Sequence, residues 1–385
     1  MPPSPSAFDL IILGASARAA ADSARRASIR SWCCDLFADS DLCAVAVMAD
    51  RCEPGQYPQG LVRWLDRAKL PRDAPALLTG ALENHPHLVA AVAQRRRLWT
   101  PGPDAVRLVR DPLIFSRLAL PDSVIPCATA SDEVSIARWM AGKGAPASFL
   151  NKPRGGSAGR GIRHGEGATT IRGQRYCQEY VEGMPVGAVY CAGPAGVQCH
   201  GVTGQLIGPD MMATTRFQYG GNIGPFPLSS RQRDGFDSLG QALTRQCGLH
   251  GLFGVDAIID RRGDIRPLEV NPRYTAGIEV LERAGGRPVF DSLRPCDAAR
   301  RDDVKQGSGV AGKSVIYARC DAAVPDLAAI LGTEQVADIP REGTAVRRGE
   351  PVCTVLASAG CHEDCEALLR ERATRVHDAL TASAQ

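Results

Sequence analysis

The chain has 385 residues, with 45 Lys plus Arg against 42 Asp plus Glu and a formal charge of +3; this exceeds one small core and suggests roughly two to four domains. With 44% hydrophobic and 23% charged residues, wholesale disorder and fibrous repeats are excluded. The near balance of charge gives no drive toward nucleic acid or an anionic membrane, so small-molecule partners are expected.

Of the basic residues only five are lysines (Lys69, Lys143, Lys152, Lys305 and Lys313), which makes each worth locating. The 14 cysteines are scattered along the chain, and no N-terminal segment joins a basic start to an apolar stretch and a cleavage site. Reduced thiols and a cytoplasmic location are expected from that usage. No apolar run approaches the roughly 18 to 20 residues needed to span a bilayer, so no membrane partner is expected.

In chain order, Phe8 to Leu13 is an apolar run ended by Gly14 and predicts a buried parallel strand. Ala17 to Ala27 predicts the helix that follows, and Ser31 to Leu36, Cys43 to Ala49 and Ala76 to Thr79 predict further strands. Helix-like stretches near Gly60 to Lys69 and His87 to Arg97 lie between them. This alternation predicts an open parallel sheet with helices on its faces over residues 1–104. Gly14-Ala15-Ser16-Ala17-Arg18 follows a strand and opens a helix, with Asp35 21 residues beyond Gly14. Only the first glycine of a dinucleotide fingerprint is present, so a plain strand-to-helix turn is the better reading than an NAD site.

Trp99 to Pro103 is turn-rich and marks a boundary. Residues 105–295 then read as a second domain of strands bounded by Gly and Pro, several paired as hairpins. Its strongest signal is Phe149 to Ile162, where Lys152 precedes Gly155, Gly156, Ser157, Gly159 and Gly161. Such a loop can wrap a polyphosphate with backbone N–H groups while a lysine neutralises it, and the order is not that of a P-loop. Tyr176 to Gly183, containing Gln178, Glu179 and Val181, reads as a short strand that suits an adenine edge or simply ends in a turn.

Asp256 lies in Gly254 to Asp260, and Glu269 and Asn271 lie in Leu268 to Arg273. On two paired strands these three side chains share one face, a set of hard oxygens that suits Mg²⁺, with Arg273 placed to reach a terminal phosphate. Thr214 to Pro225 holds Arg216 and Tyr219, candidates for an acceptor substrate, and reads equally as a connecting loop. Arg294 to Gly312 reads as a linker, and residues 313–385 as a small C-terminal domain with strands at Ser314 to Arg319 and Val352 to Ala357 and a helix from Glu363. Cys361-His362-Glu363-Asp364-Cys365 lacks the second ligand pair of a zinc site.

The order of Lys152 with its glycine-rich loop, Gln178-Glu179-Tyr180-Val181-Glu182-Gly183, Asp256 and Glu269-Val270-Asn271-Pro272-Arg273 resembles the ATP-grasp superfamily. Within it the chain looks like the branch of carboligases related to biotin carboxylase that includes the tyramine–glutamate ligase. The resemblance implies an α/β chain with an open parallel-sheet N-terminal domain, a central ATP-grasp fold whose lid covers about 115–185, and a small C-terminal domain. It implies a Mg·ATP-dependent ligase, with Mn²⁺ an alternative to Mg²⁺, joining a small carboxylate to an amine through an acyl phosphate. Lys152 and Arg273 would be catalytic, Lys152 on the α- and β-phosphates and the loop Gly155 to Gly161 over the β- and γ-phosphates. Gln178, Glu179 and Val181 would line the adenine, and Asp256, Glu269 and Asn271 would hold the metal. The family's earlier basic residue has no obvious counterpart, leaving Arg110 or Arg117 as stand-ins. A bicarbonate-activating enzyme and a non-catalytic nucleotide-binding regulator are the alternatives, and assembly as a homo-oligomer is left open.

Overall fold

The computed structural model describes residues 8–130, 148–165, 174–209, 215–293 and 309–384. The N-terminal sheet is parallel, in the order β3-β2-β1-β4, from β1 (Phe8–Leu13), β2 (Ile29–Asp35), β3 (Met48–Arg51) and β4 (Ala76–Leu78). The fully buried Leu10, Ile11, Ile12 and Leu13 explain why β1 reads as a continuous apolar run, since both of its faces are covered. Helices α1 (Arg18–Arg26), α2 (Ser40–Val45), α3 (Gln59–Arg67) and α4 (Pro86–Ala93) cover it. The strand expected over Cys43 to Ala49 is corrected: α2 occupies Ser40–Val45, and the chain turns extended only at Met48. An apolar run this short does not distinguish strand from helix, and Asp39 and Asp41 just before it are helix-start signals.

Helix α5 (Pro103–Val109) leads into a four-stranded antiparallel sheet, β5-β8-β6-β7, of β5 (Thr129–Ala130), β6 (Phe149–Pro153), β7 (Arg163–Gly165) and β8 (Arg175–Glu179). The glycine-rich loop joins β6 to β7. The larger sheet is built from β9 (Gly183–Gly193), β10 (Gly196–Ile207), β11 (Tyr219–Gly224), β12 (Gly251–Asp260) and β13 (Ile265–Asn271). Helix α6 (Ser230–Cys247), opened by a capping box at Ser229 and Gln232, packs Phe236, Leu239 and Leu243 into its core. Helix α7 (Ala276–Arg283) follows β13.

That sheet does not stop at the expected C-terminal boundary. Strand β14 (Val310–Tyr317) pairs with β11, so Val310 to Gly312, expected in a linker, are in strand; the rest of that stretch, 294–308, lies outside the described residues. A small ribbon of β15 (Ala322–Ala323) and β17 (Ala345–Val346), helix α8 (Leu327–Leu331), strands β16 (Val336–Ala337) and β18 (Pro351–Ala359), and helix α9 (His362–Ser383) complete the chain. The eight strands run β13-β12-β9-β10-β11-β14-β18-β16. Cys361 accepts from Asp364 N at 3.4 Å as the cap of α9, and Cys365 is buried beneath it. Among the described residues no helix is long and apolar enough to cross a membrane.

Candidate active site

The site lies where the β6–β8 sheet faces the β12–β13 hairpin. Here an open cleft of about 600 Å³ is lined by Arg110, Phe115, Lys152, Tyr176, Glu269 and the loop Gly156 to Gly159. Strand β6 puts Lys152 in its floor, 8% exposed, with Nζ donating to Gln178 Oε1 at 3.1 Å and lying 5.7 Å from the Tyr176 ring centroid. Burial disfavours its charge, but Tyr176, Glu269 and Asp256 outweigh that and hold the pKa above the usual lysine value. The ammonium therefore persists in the folded chain.

Asp256 and Glu269 are register partners on β12 and β13, and Asn271 shares the face two residues on, as the period of two requires. Asp256 Oδ1 accepts from Gln205 Nε2 at 2.8 Å and its Oδ2 from Asn271 Nδ2 at 2.9 Å. Burial and then the charge of Glu269 push the Asp256 carboxyl up to about 7. Burial acts the same way on Glu269, but Lys152, Arg110 and Arg273 outweigh it and hold that carboxyl below its ordinary value. Arg110 Nη1 is 3.7 Å from Glu269 Oε2, whereas Arg117 is turned to Asp111 at 2.6 Å. Of the two stand-ins, only Arg110 lines the cleft.

Among the described residues no three His, Cys, Asp or Glu side chains form a metal cluster. Two carboxylates side by side and one amide oxygen nevertheless fit Mg²⁺, which takes few protein oxygens and completes its shell from phosphate and water.

Gln178 is 2% exposed and donates to Leu268 O at 3.2 Å while holding Lys152. The Glu179 carboxylate is taken up by Arg266 at 2.7 Å and Ala128 N at 3.0 Å, and its backbone N–H donates to Ala128 O at 2.8 Å. Strand β8 pairs on both sides, and Tyr180 N donates to Ser148 O at 3.1 Å. The exposed edge expected along that strand therefore begins only near Val181, where the chain crosses to the larger sheet. Gly155, Gly156, Ser157 and Gly161 lie in the β6–β7 loop with Gly159, and Gly161 O accepts from Arg175 at 2.7 Å.

Arg216 is exposed, its guanidinium carbon 5.9 Å from the Tyr180 ring centroid and 5.3 Å from that of Phe217; Thr214 lies outside the described residues. Tyr219 instead points into the sheet, its hydroxyl donating to Asn222 Oδ1, and Asn222 Nδ2 donates to Thr203 at 2.8 Å. The two candidates for one acceptor site thus face different surroundings. Asp35 accepts from the N–H groups of Ala17, Phe37 and Ala38 at 2.8 to 2.9 Å, which leaves it a turn-holding role beside Gly14-Ala15-Ser16.

Sequence reasoning missed Gln205, Glu83 and Asn84. Glu83 Oε1 accepts from Arg273 Nε at 2.7 Å, and Asn84 Oδ1 accepts from Arg110 Nη2 at 2.8 Å. Their position just beyond the carboxyl end of a parallel strand was the available signal.

Residues 119–277 match the family described as the ATP-grasp domain. The biotin carboxylase domain of 2-oxoglutarate carboxylase from Hydrogenobacter thermophilus, a dimer in complex with MgADP, ADP and bicarbonate, superposes with a TM-score of 0.70 at 14% identity, covering 94% of this chain and 89% of that one. L-amino acid ligase from Bacillus licheniformis gives 0.66 at 13%, covering 97% and 98%. Phosphoribosylamine–glycine ligase from Thermotoga maritima gives 0.65 at 13%, covering 97% of each chain. At these identities the likeness is one of fold. Comparison with curated sequences finds no match.

Proposed function

We propose that the chain, whose residues 119–277 match the ATP-grasp domain, is an ATP-dependent ligase that activates a small carboxylate as an acyl phosphate and joins the acyl group to an amine, releasing ADP and phosphate. The observation that carries this reading is that Lys152, Arg110 and Glu269 line one cleft, and that Glu269 is paired across the hairpin with Asp256, which Asn271 and, through it, Arg273 adjoin. With Glu83 on Arg273, the three cations are matched by three carboxylates, so the positive surplus that suits a polyphosphate would come with Mg²⁺, and no Ser or Cys nucleophile is required.

The cofactors are ATP and Mg²⁺, with Mn²⁺ as substitute. When bound between Asp256, Glu269 and the Asn271 amide oxygen, the metal supplies charge neutralisation at the phosphate oxygens. Lys152 neutralises the inner phosphates, and the backbone N–H groups of the loop Gly155 to Gly161 cradle the outer ones. The adenine edge meets the chain near Gln178, Glu179 and Val181.

A carboxylate oxygen attacks the γ-phosphorus in line, the bond to the β–γ bridging oxygen breaks, and ADP leaves. Arg273 stabilises the charge on the transferring oxygens. The amine then attacks the acyl carbon, phosphate departs with the bond it held to that carbon, and the nitrogen loses a proton. Arg216 and Tyr219 are offered as acceptor contacts, Arg216 beside the Tyr180 and Phe217 rings and Tyr219 within the Asn222–Thr203 network.

The test begins with small carboxylates and amines, including bicarbonate, screened with Mg·ATP for phosphate release. The carboxylate found is then supplied with ¹⁸O in the carboxyl group. Label in inorganic phosphate together with ADP is expected. AMP and pyrophosphate as products would overturn the acyl phosphate route, and a product formed only from bicarbonate would replace the amine ligase reading with a carboxylase.

A further inference from the structure

The short turn Leu82–Asn84 belongs to the N-terminal domain, yet it reaches both arginines of the cleft. It follows β4, whose neighbour in the sheet is β1. Strands β1, β2 and β3 progress toward one edge and β4 lies on the other side of β1, so the turn sits at the point where strand order reverses, outside the carboxyl ends.

Glu83 is 5% exposed, and its Oε1 accepts from Arg273 Nε at 2.7 Å while its Oε2 is buried without a hydrogen-bond partner. The other guanidinium nitrogens of Arg273 are engaged too: Nη1 donates to Tyr274 O at 3.2 Å and Nη2 to Asn271 Oδ1 at 3.1 Å. Three anchors in different directions fix the plane of the group. The next residue does the same for the other arginine: Asn84 Oδ1 takes Arg110 Nη2 at 2.8 Å, Arg154 O takes the same nitrogen at 3.1 Å, and Nη1 is left toward Glu269. Ala81, just before the turn, has φ 76, a conformation that non-glycine residues hold only where surrounding structure over-determines it.

We propose that the turn Leu82–Asn84 is the positioning element for phosphoryl transfer, Glu83 orienting Arg273 at the terminal phosphate and Asn84 orienting Arg110 at the nucleotide. This rests on the ligase reading of the site. Glu83 and Asn84 are positioning residues, because neither touches the reacting atoms and each acts through an arginine. Docking of the N-terminal domain is therefore part of assembling the transfer geometry.

The experiment uses the full chain and needs no substrate. Wild type, Glu83→Gln, Arg273→Ala and the double variant are titrated calorimetrically with Mg·ADP alone and with Mg·ADP plus aluminium fluoride, which mimics the transferring phosphoryl group. Glu83→Gln is expected to leave Mg·ADP affinity unchanged and to weaken the aluminium fluoride complex by about tenfold, because it keeps an acceptor for Arg273 Nε but removes the charge that strengthens the bond. In the Arg273→Ala background it should add nothing. Equal loss with both ligands, no loss with either, or an independent loss in the double variant would overturn the proposal.

If Glu83→Gln fails to fold, Asn84→Ala decides: weakened Mg·ADP binding is expected because Arg110 lines the nucleotide cleft, and wild-type affinity would overturn the role of the turn. A wild-type chain that binds no Mg·ADP would overturn the ligase reading itself, a result distinct from a wild type that binds and a Glu83→Gln that behaves identically.

Discussion

Lys152 is an ammonium nearly removed from water, held by Gln178 and surrounded by acids that keep it charged. A buried charge of this kind is costly unless paired, and Lys152 meets the Gln178 amide oxygen and the Tyr176 side chain. It lines the cleft in which a phosphate would sit. Lys152→Met keeps the apolar stem and removes the charge, so Mg·ATP affinity should fall about 10- to 100-fold, the equivalent of ~1.5–3 kcal/mol for a charge-assisted hydrogen bond. Calorimetry checks this, with the melting temperature as the control for folding, and unchanged affinity would remove Lys152 from the phosphate site.

At the scale of elements, the glycine-rich hairpin is docked. Gly159 has φ 72, and a Cβ there would lie 1.7 Å from Phe217 O, while Tyr219 N donates to Ala158 O at 3.1 Å. A side chain at 159 would meet both a left-handed backbone and a backbone oxygen, and the first alone costs ~1–2 kcal/mol. Gly159→Val should therefore detach the loop from the segment at 217–219: hydrogen exchange at residues 154–162 should quicken severalfold and nucleotide affinity should drop. Unchanged exchange at those amides would show that the hairpin is not held by this contact.

The whole molecule is tied together by a buried charge cluster that joins α1 to α7, β14 and the turn after β16. Arg18 of α1 forms ion pairs with Glu279 of α7 and with Asp338 beyond β16, and Lys313 of β14 meets Glu279 at 2.6 Å. Beside it, burial and then Asp338, Asp35 and Asp41 push the Asp39 carboxyl up to about 8, with Arg18 opposing. The folded value exceeds the unfolded one of 3.8, so between those two values the unfolded chain holds fewer protons at this position, and stability falls as pH rises through the window. Asp39→Asn removes that dependence while keeping the shape. The gain in melting temperature of Asp39→Asn over wild type should grow from pH 5 to about pH 8 and then level off. A constant difference across that range would show that Asp39 ionises normally in the folded chain.

The parts of the site legible in the amino-acid order are those that short-range geometry controls. Asp256, Glu269 and Asn271 share a face because paired strands alternate side chains with a period of two, so their spacing alone predicts convergence. Lys152 and its glycines form one hairpin for the same reason, and β1 is legible as a strand buried on both faces. What tertiary packing alone decided are the partners brought from elsewhere: Gln205 from β10, Arg110 from the end of α5, and Glu83 with Asn84 from the N-terminal domain. No local pattern distinguishes Gln205 and Arg110 from ordinary surface polar residues, and Glu83 and Asn84 carry only the signal of their place beyond β4. Packing also separated Arg216 from Tyr219, three residues apart, turned Glu179 to Arg266, made a helix of Ser40–Val45, and carried the central sheet on through β14 and β18. Strand alternation is a property of the neighbouring backbone, whereas these contacts join segments distant in the chain, and only the burial of the domain faces against one another selects them.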